Sequence, residues 1–284
     1  MQCHGPCDSD KIDVPIWQIK RPQLPDLSRT ESASMLPIQK ISHFLNWYVL
    51  ERTLLGSLLA RAASEKLNRL AKKCTSIDDY IDLAFDFGLV GFHTANLLYL
   101  TPIQVRDEIA ELARIVANLK PTAVMEIGTS KGGTLLLWAA LASSDATIVS
   151  MDLPGGPLGG GYPKWKIPFY KSFARDRQSI WLIRGDSHDP MTLREVKTIL
   201  GTRELDFLFV DGDHTYWGVK RDYEMYSPLV RKGGIIAFHD IVPDQYESRC
   251  QVSRFWSEVK SNHARGEIVE DWKQRWAGLG LLFT

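Results

Sequence analysis

From residue 121 onward the chain repeats one pattern: a short, almost wholly apolar run that ends in an acid, a glycine or both. The runs are TAVMEIG, ATIVSMD, SIWLIRGD, LDFLFVDGD and GIIAFHD. Near-continuous apolarity over four to seven residues suits a strand that is covered on both faces. Helical patterns stand between the runs, in GGTLLLWAALAS, YPKWKIPFYKSFARD, MTLREVKTILG and TYWGVKRDYEMYSPLV. This alternation predicts an α/β fold with a doubly wound, mostly parallel sheet. The final segment, EIVEDWKQRWAGLGLLFT, holds two more strands close together, which predicts an antiparallel C-terminal edge. In such a sheet, ligands bind beyond the carboxyl ends of the strands. Those ends carry Glu126 and Gly128, Asp152, Gly185 and Asp186, Asp211, and the pair His239–Asp240. Their shared polarity predicts one crevice lined by all of them.

Upstream, the texture is different. Residues 1–38 are rich in proline and polar groups and read as an irregular arm; residues 39–103 read as a helical extension. One helix is expected over residues 40–72 and another over SIDDYIDLAFDF, with Ser76 as its N-cap. A third is expected from Thr101, with Pro102 at the first helical position. The apolar stretch FLNWYVLERTLLGSLLARAA is broken by Glu51 and Arg52, so it reads as an amphipathic helix and not a membrane span. The 34 basic and 34 acidic side chains leave no basic surplus, which argues against a nucleic-acid partner. Four cysteines are too few and too scattered for a disulfide framework; Cys3 and Cys7 flank His4, but no second pair completes a zinc site. The start MQCHGPCDSDK lacks a basic-then-apolar leader, and a cytoplasmic location is expected.

The first turn, EIGTSKGGT, is neither G-x-G-x-x-G nor a P-loop, so neither a dinucleotide nor a nucleoside triphosphate is expected there. Taken together with the later strand ends, the pattern resembles the class I S-adenosylmethionine-dependent methyltransferases, and it implies a Rossmann-like sheet and that cofactor. The resemblance covers residues 104–284, the expected methyltransferase domain. It implies cofactor contacts at Glu126, Gly128, Thr129, Ser130 and Gly132 in the first turn. It implies further contacts at Asp152 toward the ribose hydroxyls, and at Gly185, Asp186 and Ser187 near the adenine. A carboxylate suits a ribose because it accepts from both hydroxyls at once.

The stretch FLFVDGDHTYWGVKRDYEMYSPLVRKGGIIAFHDI is similar to the metal-assisted O-methyltransferases, among them catechol-type enzymes, macrolide-sugar methyltransferases and proteins known as cephalosporin hydroxylases. In that group the fourth strand ends in a metal-binding aspartate and the fifth in two adjacent polar ligands. Here these positions are Asp211, which also borders the cofactor, and His239 and Asp240. A base three residues past the metal aspartate maps onto His214, with Asp213 expected to orient it. The implied activity is transfer of a methyl group to a hydroxyl of a small molecule, a sugar or a secondary metabolite. Magnesium is the ion the resemblance implies, but His239 stands where relatives have an acid, and imidazole suits manganese, iron or zinc better. Two alternatives stay open: an iron hydroxylase using His214, His239 and Asp211, and a non-catalytic cofactor-binding domain.

Other residues have two readings each. Thr215 or Asp213 can instead cap the following helix. His188 and Asp189 lie near the crevice, but Asp189–Pro190 is also a natural turn. Arg184 either lines the pocket or pairs with a carboxylate. His43 and His93 read as structural. The glycine-rich LPGGPLGGGYPKWKIPFY is either a mobile lid with Tyr162 and Trp165 stacking on a ring, or a loop with aromatic anchors in the core. The N-terminal helices offer a further pocket wall or a surface for a homo-oligomer.

Overall fold

The computed structural model describes residues 45–89, 98–155 and 160–284, all within the compact unit Ala33–Thr284. Seven strands form one sheet: β1 (Ala123–Ile127), β2 (Thr147–Asp152), β3 (Ser179–Arg184), β4 (Leu205–Val210), β5 (Val230–His239), β6 (Ala264–Ile268) and β7 (Leu279–Phe283). Their order is β3-β2-β1-β4-β5-β7-β6. The first five are parallel, and β7 pairs antiparallel with both β5 and β6. The antiparallel end is therefore as expected, with β7 inserted between β5 and β6 rather than outermost. Every residue of β1, β2 and β4 is buried, because helices cover both faces of a doubly wound sheet. The order reverses at β1, whose neighbours are β2 and β4, so the crevice lies above the ends of β1 and β4.

Alternate residues along each strand feed two separate cores. On one face Val124, Ile148, Phe207, Phe209 and Ala237 meet the helices α1 (Leu54–Ala71), α2 (Ile77–Asp86), α3 (Arg106–Leu119), α4 (Gly133–Leu141) and α5 (Ile167–Lys171). On the other face Met125, Val149, Leu208, Val210 and Phe238 meet α6 (Pro190–Leu200), α7 (Tyr216–Tyr226) and α8 (Val252–Val259). Helix α4, GTLLLWAAL, is apolar all round because it lies between the sheet and the helices α2 and α3. Its Trp138 packs edge-on against Phe207 and Phe209, at ring distances of 4.9 and 5.4 Å.

Ser76 caps α2 as expected: its hydroxyl accepts from Asp79 N–H, and the Asp79 carboxylate reaches back to the Ser76 N–H. The next helix differs from expectation. It begins at Arg106, with Val105 as the capping residue, and not at Thr101. Residues 100–102 instead pass in close contact with Gly133, where a Cβ would lie 2.4 Å from the Leu100 carbonyl oxygen. Thr101 donates its hydroxyl to the Phe85 carbonyl. The arm, the cysteines Cys3 and Cys7, His43 and His93 lie outside the described residues. Among the described residues, no helix is long and apolar enough to cross a membrane.

The entry into the sheet depends on one side chain. Asp206 accepts from the N–H groups of Thr122 (2.6 Å) and Ala123 (3.0 Å) and from the Thr122 hydroxyl (2.9 Å), and it pairs with Arg231. It thereby aligns the starts of β1, β4 and β5. Asp206→Ala leaves these donors without an acceptor and is expected to destabilise the fold by about 2–4 kcal/mol in urea unfolding, with an unchanged m-value.

Candidate active site

The turn after β1 is the centre of the crevice. Gly128 (φ 106°) and Gly132 (φ 84°) take left-handed conformations, as does Ser130 (φ 46°). A Cβ on Gly128 would lie 2.0 Å from the Asp211 carbonyl oxygen, so the ends of β1 and β4 touch through backbone alone. Asp211 N–H donates to the Ile127 carbonyl (2.9 Å), and Gly128 N–H donates to that of Met151 (2.8 Å). Gly132 lies against the ring of Tyr170, whose hydroxyl donates to the Ser130 carbonyl (3.2 Å).

Strand parity sends the expected cofactor residues to different places. Glu126 shares the face of Val124, so its side chain runs beneath α4 and is fully buried. There it accepts from the Ser150 hydroxyl (2.6 Å) and from Trp138 Nε1–H (2.9 Å), and Ser150 is also bonded to Thr129 Oγ1 (2.6 Å). Glu126 and Thr129 thus support the turn from behind. Burial pushes the Glu126 carboxyl up to about 7, against the lowering effect of its bonds with Ser150, Thr134 and Trp138.

Asp152 stays at the end of β2, where it accepts from the Ser130 N–H (2.6 Å). Its carboxyl is raised by burial, partly offset by N–H bonds from Ser130, Gly161 and Leu153. Gly185 N–H donates to the Asp152 carbonyl (3.0 Å), which places Asp186 and Ser187 beside it.

The other half of the crevice gathers Asp211, His214, His239 and Asp240. His239 Nδ1 lies 3.1 Å from Asp211 Oδ1 and 3.4 Å from Asp240 Oδ1, and His214 Nδ1 lies 2.6 Å from Asp240 Oδ2. Ligand atoms of Asp211, His239 and Asp240 all lie within 4.8 Å of one another, as do those of His214, Asp240 and Cys250. His239 is 3% exposed, yet neither ring nitrogen is aligned in a hydrogen bond. A buried imidazole without hydrogen bonds between two carboxylates fits a metal site. Asp240 has φ 65°, an uncommon conformation for a residue other than glycine, and accepts from the Ala277 N–H (2.9 Å).

Charge balance sets the protonation of this cluster. Burial disfavours ionised Asp240, but the imidazoles of His239 and His214 outweigh it and hold the carboxyl well below its usual range. Burial likewise opposes charge on His214, but Asp240, Cys250 and Asp211 prevail and push it up to about 10. His239 is also raised, by Asp240 and Asp211 against burial.

One expectation needs correction, and several residues with two readings take one of them. Asp213 does not orient His214. Its Oδ1 accepts from the Thr215 N–H (2.9 Å), and its side chain fills the space over Gly218. The partner of His214 is Asp240. Thr215 caps α7 by accepting from the Gly218 N–H (3.0 Å). Asp189 caps α6, accepting from the Met191 N–H (2.8 Å). Tyr162 and Trp165 are buried in the core, and Arg184 Nε–H donates to the Tyr162 carbonyl (3.0 Å), so these side chains hold the loop down.

Three contributors were not anticipated. Gln104 donates to Asp211 Oδ2 (3.0 Å). Glu108 on α3 accepts from the N–H groups of Glu270 and Gly278 (2.9 Å each) and so holds the loop that presents Ala277 to Asp240. Cys250 adjoins His214. None carries a local signal, because each is distant in sequence from the strand ends; the buried polar position of Glu108 in an amphipathic helix was the nearest hint.

Residues 125–241 match the family model described as a methyltransferase domain. Among curated proteins, an uncharacterised protein, y4gI, of Sinorhizobium fredii is 26% identical over 172 residues, covering 60% of this chain and 18% of that protein. Another, R132 of Acanthamoeba polyphaga mimivirus, is 50% identical over 36 residues, 13% of this chain and 16% of that protein. The match thus spans less than a fifth of the length of these relatives. Similar solved structures include the O-methyltransferase TomG from Streptomyces achromogenes in complex with SAM (14% identity, 75% of this chain and 91% of that one, TM-score 0.49). An O-methyltransferase from Bacillus cereus in complex with SAH is also similar (12% identity, 79% and 100%, TM-score 0.49). The match to a methyltransferase domain therefore runs from β1 to the end of β5, the parallel part of the doubly wound sheet and the strand ends that line the crevice.

The buried Glu126 gives the domain a pH signature. A carboxyl raised from 4.5 to about 7 contributes stability that is full below pH 4.5 and lost as pH rises through 7. Glu126→Gln keeps an acceptor for Trp138 without the charge. It is expected to abolish a loss on the order of 3 kcal/mol between pH 4.5 and 8 in denaturant titrations.

Proposed function

We propose that the chain is an S-adenosylmethionine-dependent, divalent-metal-assisted O-methyltransferase that acts on a hydroxyl of a small molecule, a sugar or a secondary metabolite. The observation that carries this reading is His239, buried and without aligned hydrogen bonds between Asp211 and Asp240, directly beside the glycine turn. The turn brings the ends of β1 and β4 together, and Asp152 and Asp186 offer carboxylates at the neighbouring strand ends. Asp211, His239 and Asp240 would hold the ion, with Gln104 and Ala277 N–H fixing the two carboxylates. A bound divalent cation lowers the pKa of an acceptor hydroxyl and fixes its oxygen near the methyl donor.

His214 is the group placed to take the hydroxyl proton. Without an ion, Asp240 and Asp211 hold it as a cation, with a pKa of about 10. When those carboxylates are engaged by a cation, burial favours the neutral imidazole that a base requires. A bound methyl donor would supply the methyl group and keep the carbon–sulfur bond pair on sulfur, and His214 would take the proton that the acceptor hydroxyl gives up. The iron-hydroxylase alternative needs His214, His239 and Asp211 to converge. Asp211 Oδ1 lies 3.1 Å from His239 Nδ1 and 3.7 Å from His214 Nε2, but the groups whose ligand atoms all gather within 4.8 Å among the described residues both include Asp240.

Calorimetric titration with S-adenosylhomocysteine, with and without magnesium, manganese, zinc and ferrous ions, tests the cofactor and the metal. Asp211→Ala is expected to abolish metal binding. His214→Ala is expected to keep cofactor and metal binding but to lose about 10²–10⁴-fold in turnover on a panel of catechol and sugar acceptors. Failure of the wild-type protein to bind S-adenosylhomocysteine under any of these conditions would sink the proposal.

A further inference from the structure

A second imidazole–carboxylate pair joins the loop after β3 to α7, the helix that follows β4. Asp222, on α7, has no exposed side-chain surface, and its carboxylate sits under the loop that follows β4. A Cβ on Gly212 would lie 3.5 Å from Asp222 Oδ2. His188, in the loop after β3, places Nε2 3.2 Å from Asp222 Oδ1 and 3.2 Å from the Gly218 carbonyl oxygen. Its other ring nitrogen, Nδ1, lies 3.8 Å from Asp186 Oδ1, and its N–H donates to that same oxygen (2.8 Å). One residue earlier, the Ser187 carbonyl accepts from the Tyr226 hydroxyl of α7 (2.8 Å).

We propose that His188, held by the buried carboxylate of Asp222, is a positioning residue that fixes the Asp186–Ser187 loop to helix α7 in the orientation that binds the adenosyl cofactor. The assignment rests on the cofactor reading given above. A carboxylate removed from water needs a countercharge, and His188 supplies it. The groups that face His188 are Asp222 and the Gly218 carbonyl from α7, Asp186 from its own loop, and Asp213 from the loop after β4. Three acids surround the ring; Nε2 is hydrogen-bonded to the Gly218 carbonyl, and the close approach of the Asp222 carboxylate holds the imidazole above its ordinary pKa despite burial. With Oδ1 of Asp186 committed to His188, Oδ2 is left for a ligand. Above its raised pKa the ring loses the charge that balances Asp222, and of the ties between the loop and α7 the ionic one is lost while the Tyr226–Ser187 bond remains. Cofactor affinity therefore falls as pH rises past that point, and is full below it.

Loss of His188 alone leaves Asp222 buried and unpaired and risks misfolding, so the decisive protein is the double variant His188→Gln/Asp222→Asn, which removes both charges and keeps hydrogen-bonding side chains. The measurement is the Kd for S-adenosylhomocysteine from pH 6 to 10, with manganese affinity and thermal stability read in parallel. The wild type is expected to lose about tenfold in affinity across this range. The folded double variant is expected to start about tenfold weaker and to show a flat profile, with manganese affinity within twofold of wild type. A folded double variant with the wild-type Kd and pH profile overturns the assignment. Absence of S-adenosylhomocysteine binding by the wild type overturns the cofactor reading beneath it.

Discussion

Two carboxylates and two imidazoles share a crevice that is mostly closed to water, and the arrangement holds because their charges cancel at short range. Asp240 contacts both His214 and His239, and Asp211 faces the same two rings from the neighbouring strand end. An isolated charge in a low-dielectric site is costly, and a neighbour of opposite sign offsets that cost. The cluster places two carboxylates and two imidazoles within a few ångströms of one another. The distance that makes this possible is set by backbone. Gly128 lets the end of β1 lie against Asp211, and the register of β4 with β5 puts His239 and Asp240 one strand further on.

The polar supports of this cluster come from far along the chain. Gln104 and Glu108 precede β1, whereas Ala277 and Gly278 lie just before β7. Glu108 joins α3 to the C-terminal loop, and that loop in turn presents the N–H that holds Asp240. The glycine turn is supported in a similar way from the opposite face, where Glu126, Ser150, Thr129 and Trp138 form a closed network beneath α4. Such fully bonded buried networks restrict the geometry of a site more than they add to stability.

Much of the fold was legible because two simple regularities operate at once. A doubly wound sheet demands apolar strands on both faces, and its ligand side demands polar strand ends. The runs from TAVMEIG to GIIAFHD satisfy both, and strand existence, order of polarity and the antiparallel end all follow from them. Helix starts were less legible. Thr101–Pro102 has the local chemistry of a helix N-terminus, but residues 100–102 are drawn against Gly133 and the helix begins four residues later. Local propensity lost there to tertiary packing.

The sequence by itself determined which residue types stand at the strand ends, and so that Asp211, His239 and Asp240 face one crevice with a glycine turn beside them. Periodicity and the handedness of β–α–β connections leave little freedom in that result. Only the tertiary structure decided which neighbour each group meets. Asp213 adjoins His214 in the chain, but its carboxylate is spent on the start of α7, while Asp240, on another strand, binds the ring. Glu126 ends an apolar run like the others, but strand parity turns it under α4 and away from the crevice. His188 and Asp222 lie 34 positions apart and pair because α7 packs beneath the loop after β3. Hydrogen bonds and ion pairs act over a few ångströms, and the chain positions that fall within that distance are fixed by packing rather than by proximity in sequence.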